Sequence, residues 1–196
     1  MKTSACLIAA LLAGASAGAV EESSAAKPLP AGVESLLQGR FDNRDQIAKA
    51  SQGEDSTPHV VVTIEPTSQK SWTLWRVHVE TDPQTTFDQT WAMRAETEYD
   101  GSTALVPYYQ LKQTSDPDAA TFDPAQWLSL EACALRGKAD AKRIDGESEG
   151  EPCVAVSMGV GARRALLPVG FDREGDWLHV DMNLRGVRTR IDTRRM

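Results

Sequence analysis

The sequence predicts a mainly-β protein: one antiparallel barrel, closed or nearly closed, with one or two short helices. Several stretches alternate apolar and polar residues with a period of two, the mark of strands whose two faces see different surroundings. About eight such stretches fall within a single domain's length, and tight turns separate most of them, which favours a barrel over a sandwich. The alternative architecture is a sheet packed against two helices.

Residues 1–19 carry Lys2, an apolar stretch from Ala5 to Leu12 and a small-residue tail ending Ala17-Gly18-Ala19. This is the pattern of a secretory signal peptide, too short to span a bilayer as a mature helix. Cys6 lies inside the apolar region and not after a small residue at its end, so a lipidated N-terminal cysteine is not expected. The mature chain is expected to be exported, periplasmic or secreted, without a transmembrane segment. Residues 20–28 read as a flexible leader and 29–196 as one domain, about 170 residues and enough for a substantial core.

Val33, Leu36 and Leu37 recur at helical spacing and Gly39 ends the run, so a short helix opens the domain and packs its apolar side on the core as a lid or plug. Val60 to Glu65 is rich in β-branched residues. In Trp72 to Glu80, Trp75, Val77 and Val79 share one face; Trp72, Leu74, Arg76, His78 and Glu80 share the other. Asp88 to Glu96 sets Gln89, Trp91, Met93 and Ala95 against Thr90, Ala92, Arg94 and Glu96. Ala104 to Leu111 is a fourth strand, with Pro107 marking an edge or a bulge. Asp123 and Pro124 predict a capped second helix running through Trp127, Leu128 and Leu130 to about Ala134. Strands then come at Cys153 to Met158, Arg164 to Phe171, Asp176 to Met182 and Gly186 to Ile191, with turns at Gly159-Val160-Gly161 and Arg173-Glu174-Gly175.

Loss of the signal removes Cys6 and leaves Cys133 and Cys153. An even pair in an exported chain reads as a disulfide. The nineteen residues between them hold Gly137, Gly146 and Gly150 among charged residues and read as a loop that the bridge closes. No Cys-x-x-Cys redox spacing is present. The net charge of −7 becomes −8 without Lys2, a balance that argues against nonspecific nucleic-acid binding or attraction to anionic lipid.

His59, His78 and His179 share no ligand motif, so no metal site and no cofactor is expected. No Gly-x-Ser-x-Gly elbow and no glycine-rich phosphate loop occurs, which sets aside serine hydrolase and nucleotide-binding readings. The ionisable residues on alternating strands stand out instead. Arg76, His78 and Glu80 share one face, Arg94 and Glu96 another, His179 and Asp181 a third, and Arg188, Arg190 and Asp192 a fourth. Pointing inward, they would surround a partly polar cavity with Trp72 as an apolar wall and either Trp91 or Arg94, which lie on opposite faces. Pointing outward, they would meet solvent around an ordinary core.

The run Leu36-Leu37-x-Gly39-Arg40-Phe41-x-Asn43-x-x-Gln46 resembles the opening signature of the CpcT/CpeT chromophore lyase family. Leu74 to Glu80, Tyr108-Tyr109-Gln110-Leu111, Cys133 and Gly150-x-x-Cys153 are similar to further family elements, and the resemblance spans about residues 29 to 192. It implies a calycin-like, lipocalin-like antiparallel β-barrel with an open cavity. Characterised members attach open-chain tetrapyrroles to cysteines of phycobiliproteins, so a tetrapyrrole-like or other small apolar ligand is implied. The family's Tyr-Arg-x-Arg strand appears here as Gln89 to Arg94, with a single arginine. That departure and the export signal place lyase or chaperone activity second, behind a binding barrel for a largely apolar molecule with a polar handle; a ligand-free envelope barrel stands third. Candidate binding residues are Trp72, Arg76, His78, Glu80, Trp91, Arg94, Arg188 and Arg190. Asn43 and Gln46 are read as structural, their amides serving backbone groups where helix gives way to strand.

Overall fold

The computed structural model describes residues 29–30, 32–50, 57–82, 85–110, 116–150, 153, 167–184 and 187–196. The signal peptide, the leader and the turn at 159–161 lie outside these residues, as does the expected strand at 153–158 apart from Cys153. Helix α1 (Val33–Leu36) leads into β1 (Gly39–Asp42), and helix α2 (Arg44–Ala50) comes next. Then come β2 (His59–Pro66), β3 (Trp72–Asp82), β4 (Thr85–Thr97), β5 (Thr103–Gln110), β6 (Trp127–Ser129), β7 (Leu135–Gly137), β8 (Arg143–Glu147), β9 (Pro168–Glu174), β10 (Trp177–Leu184) and β11 (Val187–Arg195).

Ten strands form a ring in the order β4-β3-β2-β1-β11-β10-β9-β8-β7-β5, and β5 returns to β4 to close it; β6 pairs with β5 outside the ring. Every pairing is antiparallel. The closure is uneven: β4 meets β5 only from Ala92 onward, and β11 meets β1 only at Arg194 and Arg195.

Alternation decides what fills it. Trp75 pairs with Trp91, Val77 with Gln89 and Val79 with Phe87, so these six share the inner face. Val60, Val62, Ile64, Met93, Leu105, Leu135, Ile144, Phe171, Leu178, Val180, Met182 and Ile191 join Trp75 and Trp91 in one buried cluster. Burying each large side chain contributes about 1.5–3 kcal/mol. The outer face is not wholly wet. Leu74, Ala92, Ala104, Val106, Tyr108, Phe122, Trp127 and Ala134 form a second buried cluster on the outside of β3, β4 and β5, with Trp72 packed on it.

Three sequence expectations need correction. The helix from Asp123 to Ala134 is absent: Asp123 Oδ1 does accept from Ala125 N at 3.0 Å, but the 3₁₀ turn ends at Gln126, residues 127–129 pair with β5, and a second such turn covers Glu131–Cys133. Phe122 and Trp127 reach the outer cluster from this extended route, so packing overrides the helical spacing. The stretch between the cysteines contains strands β7 and β8 and is not a simple loop. Gly137 and Gly146 mark close approach, unlike Gly150: a Cβ on Gly137 would lie 2.2 Å from the Asp145 carbonyl oxygen, and one on Gly146 2.8 Å from the Phe171 ring. Pro107 is not at an edge or at a register shift. It sits where β5 exchanges partners, past the β7 pairing at 103–105 and before the β6 pairing at 108–110, so its missing N–H costs no ladder bond. Helix α2 is an addition to the expected elements, although Asn43 before Arg44-Asp45-Gln46-Ile47 carries a helix start signal.

Candidate functional site

The two ends of the barrel differ. At the end where β1, β3 and β5 begin, α1 presses Val33 and Leu37 into the core, both fully buried. Arg173, on the inner face of β9, completes that seal. Its Nε donates to Leu36 O at 3.3 Å, its Nη1 to Trp177 O at 3.1 Å and also to Gly175 O, and its guanidinium lies 4.9 Å from the centre of the Phe41 ring. Burial, with nearby Arg195 adding to it and Asp176 opposing, holds its pKa below the ordinary arginine value.

At the opposite end, β4 and β11 begin and β5 and β10 end. There Phe87 and Val187, both at inward register positions, are 48% and 65% exposed. Tyr109 and Leu184 are partly buried against the core beside them. Deeper on the same face of β4 lie Gln89 and Trp91, both buried. Trp91 Nε1 has no hydrogen-bond partner among the described residues, whereas Trp75 Nε1 donates to Thr73 Oγ1 at 3.1 Å. The rim residues Phe87, Tyr109, Leu184 and Val187 are not among the sequence candidates. Their signal is an apolar residue at an inward position close to a strand terminus, which is weak without knowing which end is closed.

The charged faces point outward, and the candidate residues separate into four places. Arg76 and His78 lie in a groove of about 490 Å³ on the outer face of β1 to β4. Its floor is the cross-strand row Arg40, Thr63, Arg76 and Thr90. Arg76 is bonded to Glu65, donates from Nε to Asp116 at 3.3 Å and reaches Pro117 O. Its burial lowers the pKa, but Glu65 and Asp116 outweigh that and leave it raised above the ordinary value. His78 Nδ1 is 2.7 Å from Asp88 Oδ1. Glu80 faces outward at 3.4 Å from His59 Nδ1, and the other nitrogen of that ring is 3.3 Å from Asp42.

Trp72 and Arg94 belong to the outer cluster. The Arg94 guanidinium stands 6.0 Å from the Trp72 ring centre and 5.7 Å from that of Tyr108, and Nη2 pairs with Glu96 at 2.8 Å. Arg188 and Arg190 lie across the barrel, in a groove of about 360 Å³ on β8 to β11. Arg188 donates to Asp181 and to Glu147, each at 2.6 Å. These two bonds raise its pKa. Gly170 lies against this pair, and a Cβ there would lie 3.2 Å from Arg188 Nη2 and from Asp181 Oδ2. Arg190 pairs with Asp192 at 3.3 Å. Trp91 alone is inside.

Asn43 is fully buried: its Oδ1 accepts from Val60 N at 2.8 Å and its Nδ2 donates to Pro58 O at 2.8 Å. Gln46 ties α2 to β11, donating to Arg190 O at 3.2 Å and accepting from Asp192 N at 3.1 Å. Cys133 and Cys153 form a disulfide, with both residues buried in the main core. Among the described residues no group of three or more His, Cys, Asp or Glu could hold a metal ion, and no helix is long and apolar enough to cross a membrane.

The outer grooves are mixed in sign, and Arg76, Arg136, Arg188 and Arg190 in them are already engaged by carboxylates. Such half-exposed pairs contribute little to stability, and a ligand would have to displace them. The rim end offers the opposite chemistry: exposed apolar side chains at Phe87 and Val187, and a buried indole donor deeper on the same inner face. Compared with protein-family models, curated proteins and solved structures, the chain gives no significant match.

Proposed function

We propose that this protein is an exported binding barrel that admits a small, largely apolar molecule with a polar handle through the end framed by Phe87, Tyr109, Leu184 and Val187. The asymmetry of the ends carries this reading: one is sealed by α1 and Arg173, while the other leaves inward-register apolar residues exposed. The buried Cys133–Cys153 bridge supports export, because such bonds persist in oxidising compartments. The resemblance to the CpcT/CpeT chromophore lyases makes open-chain tetrapyrroles the first ligand class to try. The outward placement of Arg94 and Glu80 offers no support for their acting on a pigment inside the barrel.

Tryptophan-fluorescence titrations with a bilin, haem and a fatty-acid methyl ester are expected to give saturable binding for at least one of them. Replacing Phe87 and Val187 together by Asp places charge at the entrance and is expected to weaken that binding by about tenfold or more. Arg76→Ala, in the outer groove, is expected to leave it within about twofold. No saturable binding of any of the three to the folded protein contradicts the reading; loss on Arg76→Ala with no effect at the rim moves the site to the outer groove.

A further inference from the structure

We propose that the polar handle accepted inside the barrel is an uncharged hydrogen-bond acceptor, a carbonyl of a ketone, ester or amide, and that Trp91 Nε1 is the donor that takes it. This rests on the binding-barrel reading and specifies the chemistry of its ligand.

The inference starts from an imbalance between two indoles on one inner surface. Trp75 and Trp91 pair across β3 and β4, and both are buried. The Trp75 N–H is satisfied by Thr73, whereas the Trp91 N–H has no partner among the described residues. Buried donors are almost always paired, and an unpaired one is costly. Phenylalanine would fill the same interior without that cost, so an indole at position 91 gains only if something accepts from it. Gln89 stands two residues earlier on the same face, also buried, and among the described residues its amide makes one long bond, 3.5 Å to Thr90 O. A second uncharged donor is therefore close at hand.

The surroundings exclude a carboxylate as the preferred group. The described inward side chains between Trp91 and the rim include those of Val79, Phe87, Gln89, Tyr109, Leu184 and Val187, none of them charged at neutral pH. Arg76, Arg94, Arg188 and Arg190 are on the outer face, and Arg173 is at the sealed end. A carboxylate entering here would give up hydration and meet no cation among the described residues, which is far more costly than burying a carbonyl that receives a hydrogen bond.

Isothermal titration of the wild-type protein with 2-decanone and with decanoate at pH 8 tests this, since the two probes share their chain and differ in the handle. The expected result is that 2-decanone binds about tenfold or more tightly than decanoate. Trp91→Phe is expected to weaken 2-decanone by about tenfold, the scale of one lost hydrogen bond in an apolar site, and to leave decanoate unchanged. In the wild-type protein the indole N–H resonance of Trp91 is expected to move downfield with 2-decanone and to stay in place with decanoate, a readout that does not depend on the variant folding. Ketone binding that ignores Trp91→Phe and leaves the indole resonance unmoved, or tighter binding of decanoate, overturns the proposal while leaving the binding barrel standing. Failure of both probes to bind the folded wild-type protein overturns the proposal and counts against the barrel reading beneath it.

Discussion

Reducing the Cys133–Cys153 bridge, or replacing both cysteines by alanine, is expected to lower the unfolding free energy by about 3 kcal/mol, the chain-entropy value for a bridge across 20 positions. For a domain of this size that is a fall in Tm of roughly 6 to 12 °C. The bridged stretch is not a passive loop. It contains β7 and β8, which close the ring between β5 and β9, and β7 meets its neighbours over three residues or fewer. With so few ladder bonds at this closure, the bridge holds the 3₁₀ turn at Glu131–Cys133 against the chain beyond β8, and both cysteines pack in the main core. The other eight strands of the ring keep their pairings, so the reduced protein is expected to retain its far-ultraviolet spectrum while its urea midpoint falls. A loss below about 1 kcal/mol would mean that the β5–β7–β8 closure is held by packing alone.

The second large effect is expected at Arg173. Truncation to alanine removes the donor group that serves Leu36, Gly175 and Trp177, and leaves those carbonyls at the sealed end facing a void above Phe41. Losing a buried side chain together with charge-assisted bonds is expected to cost about 3 to 4 kcal/mol. Arg173→Met restores most of the volume but none of the bonds, and is expected to recover less than half of the loss. Arg173→Lys keeps the cation but not the planar fork that reaches three acceptors, and is expected to fall between the two. Urea denaturation of the three variants gives the order; equal stability of Met and wild type would show that volume, not hydrogen bonding, matters there.

The strands that are legible in the sequence are those whose two faces differ most. Trp72 to Glu80 and Asp88 to Glu96 alternate because Trp75, Val77, Val79, Trp91 and Met93 must meet inside the ring. Alternation does not say which face is the inside, and both faces of β3 carry a tryptophan. The choice is made by the whole ring, where the inner register collects nearly all the large aliphatic side chains. Segment 123–134 misleads because Trp127, Leu128 and Leu130 follow a cap at Asp123 with spacing that a helix allows, whereas Trp127 packs in the outer cluster with Tyr108 and Leu130 in the main core. The glycines at 137 and 146 mislead because close approach of backbone and ring looks, in sequence, like a flexible loop.

The candidate site is less legible than the fold. Charged residues draw attention to Arg76, Arg188 and Arg190, which the structure pairs with Glu65, Asp181 and Asp192 on the outer surface. Arg173, the one arginine nearly without exposure among the described residues, escapes notice because a lone arginine at an inward position has no local signature. The rim residues are invisible for a different reason: their meaning depends on which end α1 closes, and that is a property of the assembled ring.

Amide chemical-shift mapping during titration with whichever ligand saturates tests the central claim most directly, because the alternative sites lie on different strands or different faces. The account predicts that the largest shifts fall at residues 87–91, 108–110, 182–184 and 187–189, around the open end, with residues 40, 63, 76 and 116 in the outer groove little changed. Shifts concentrated in that groove, or along β8 to β11 around Arg188, would contradict entry through the rim.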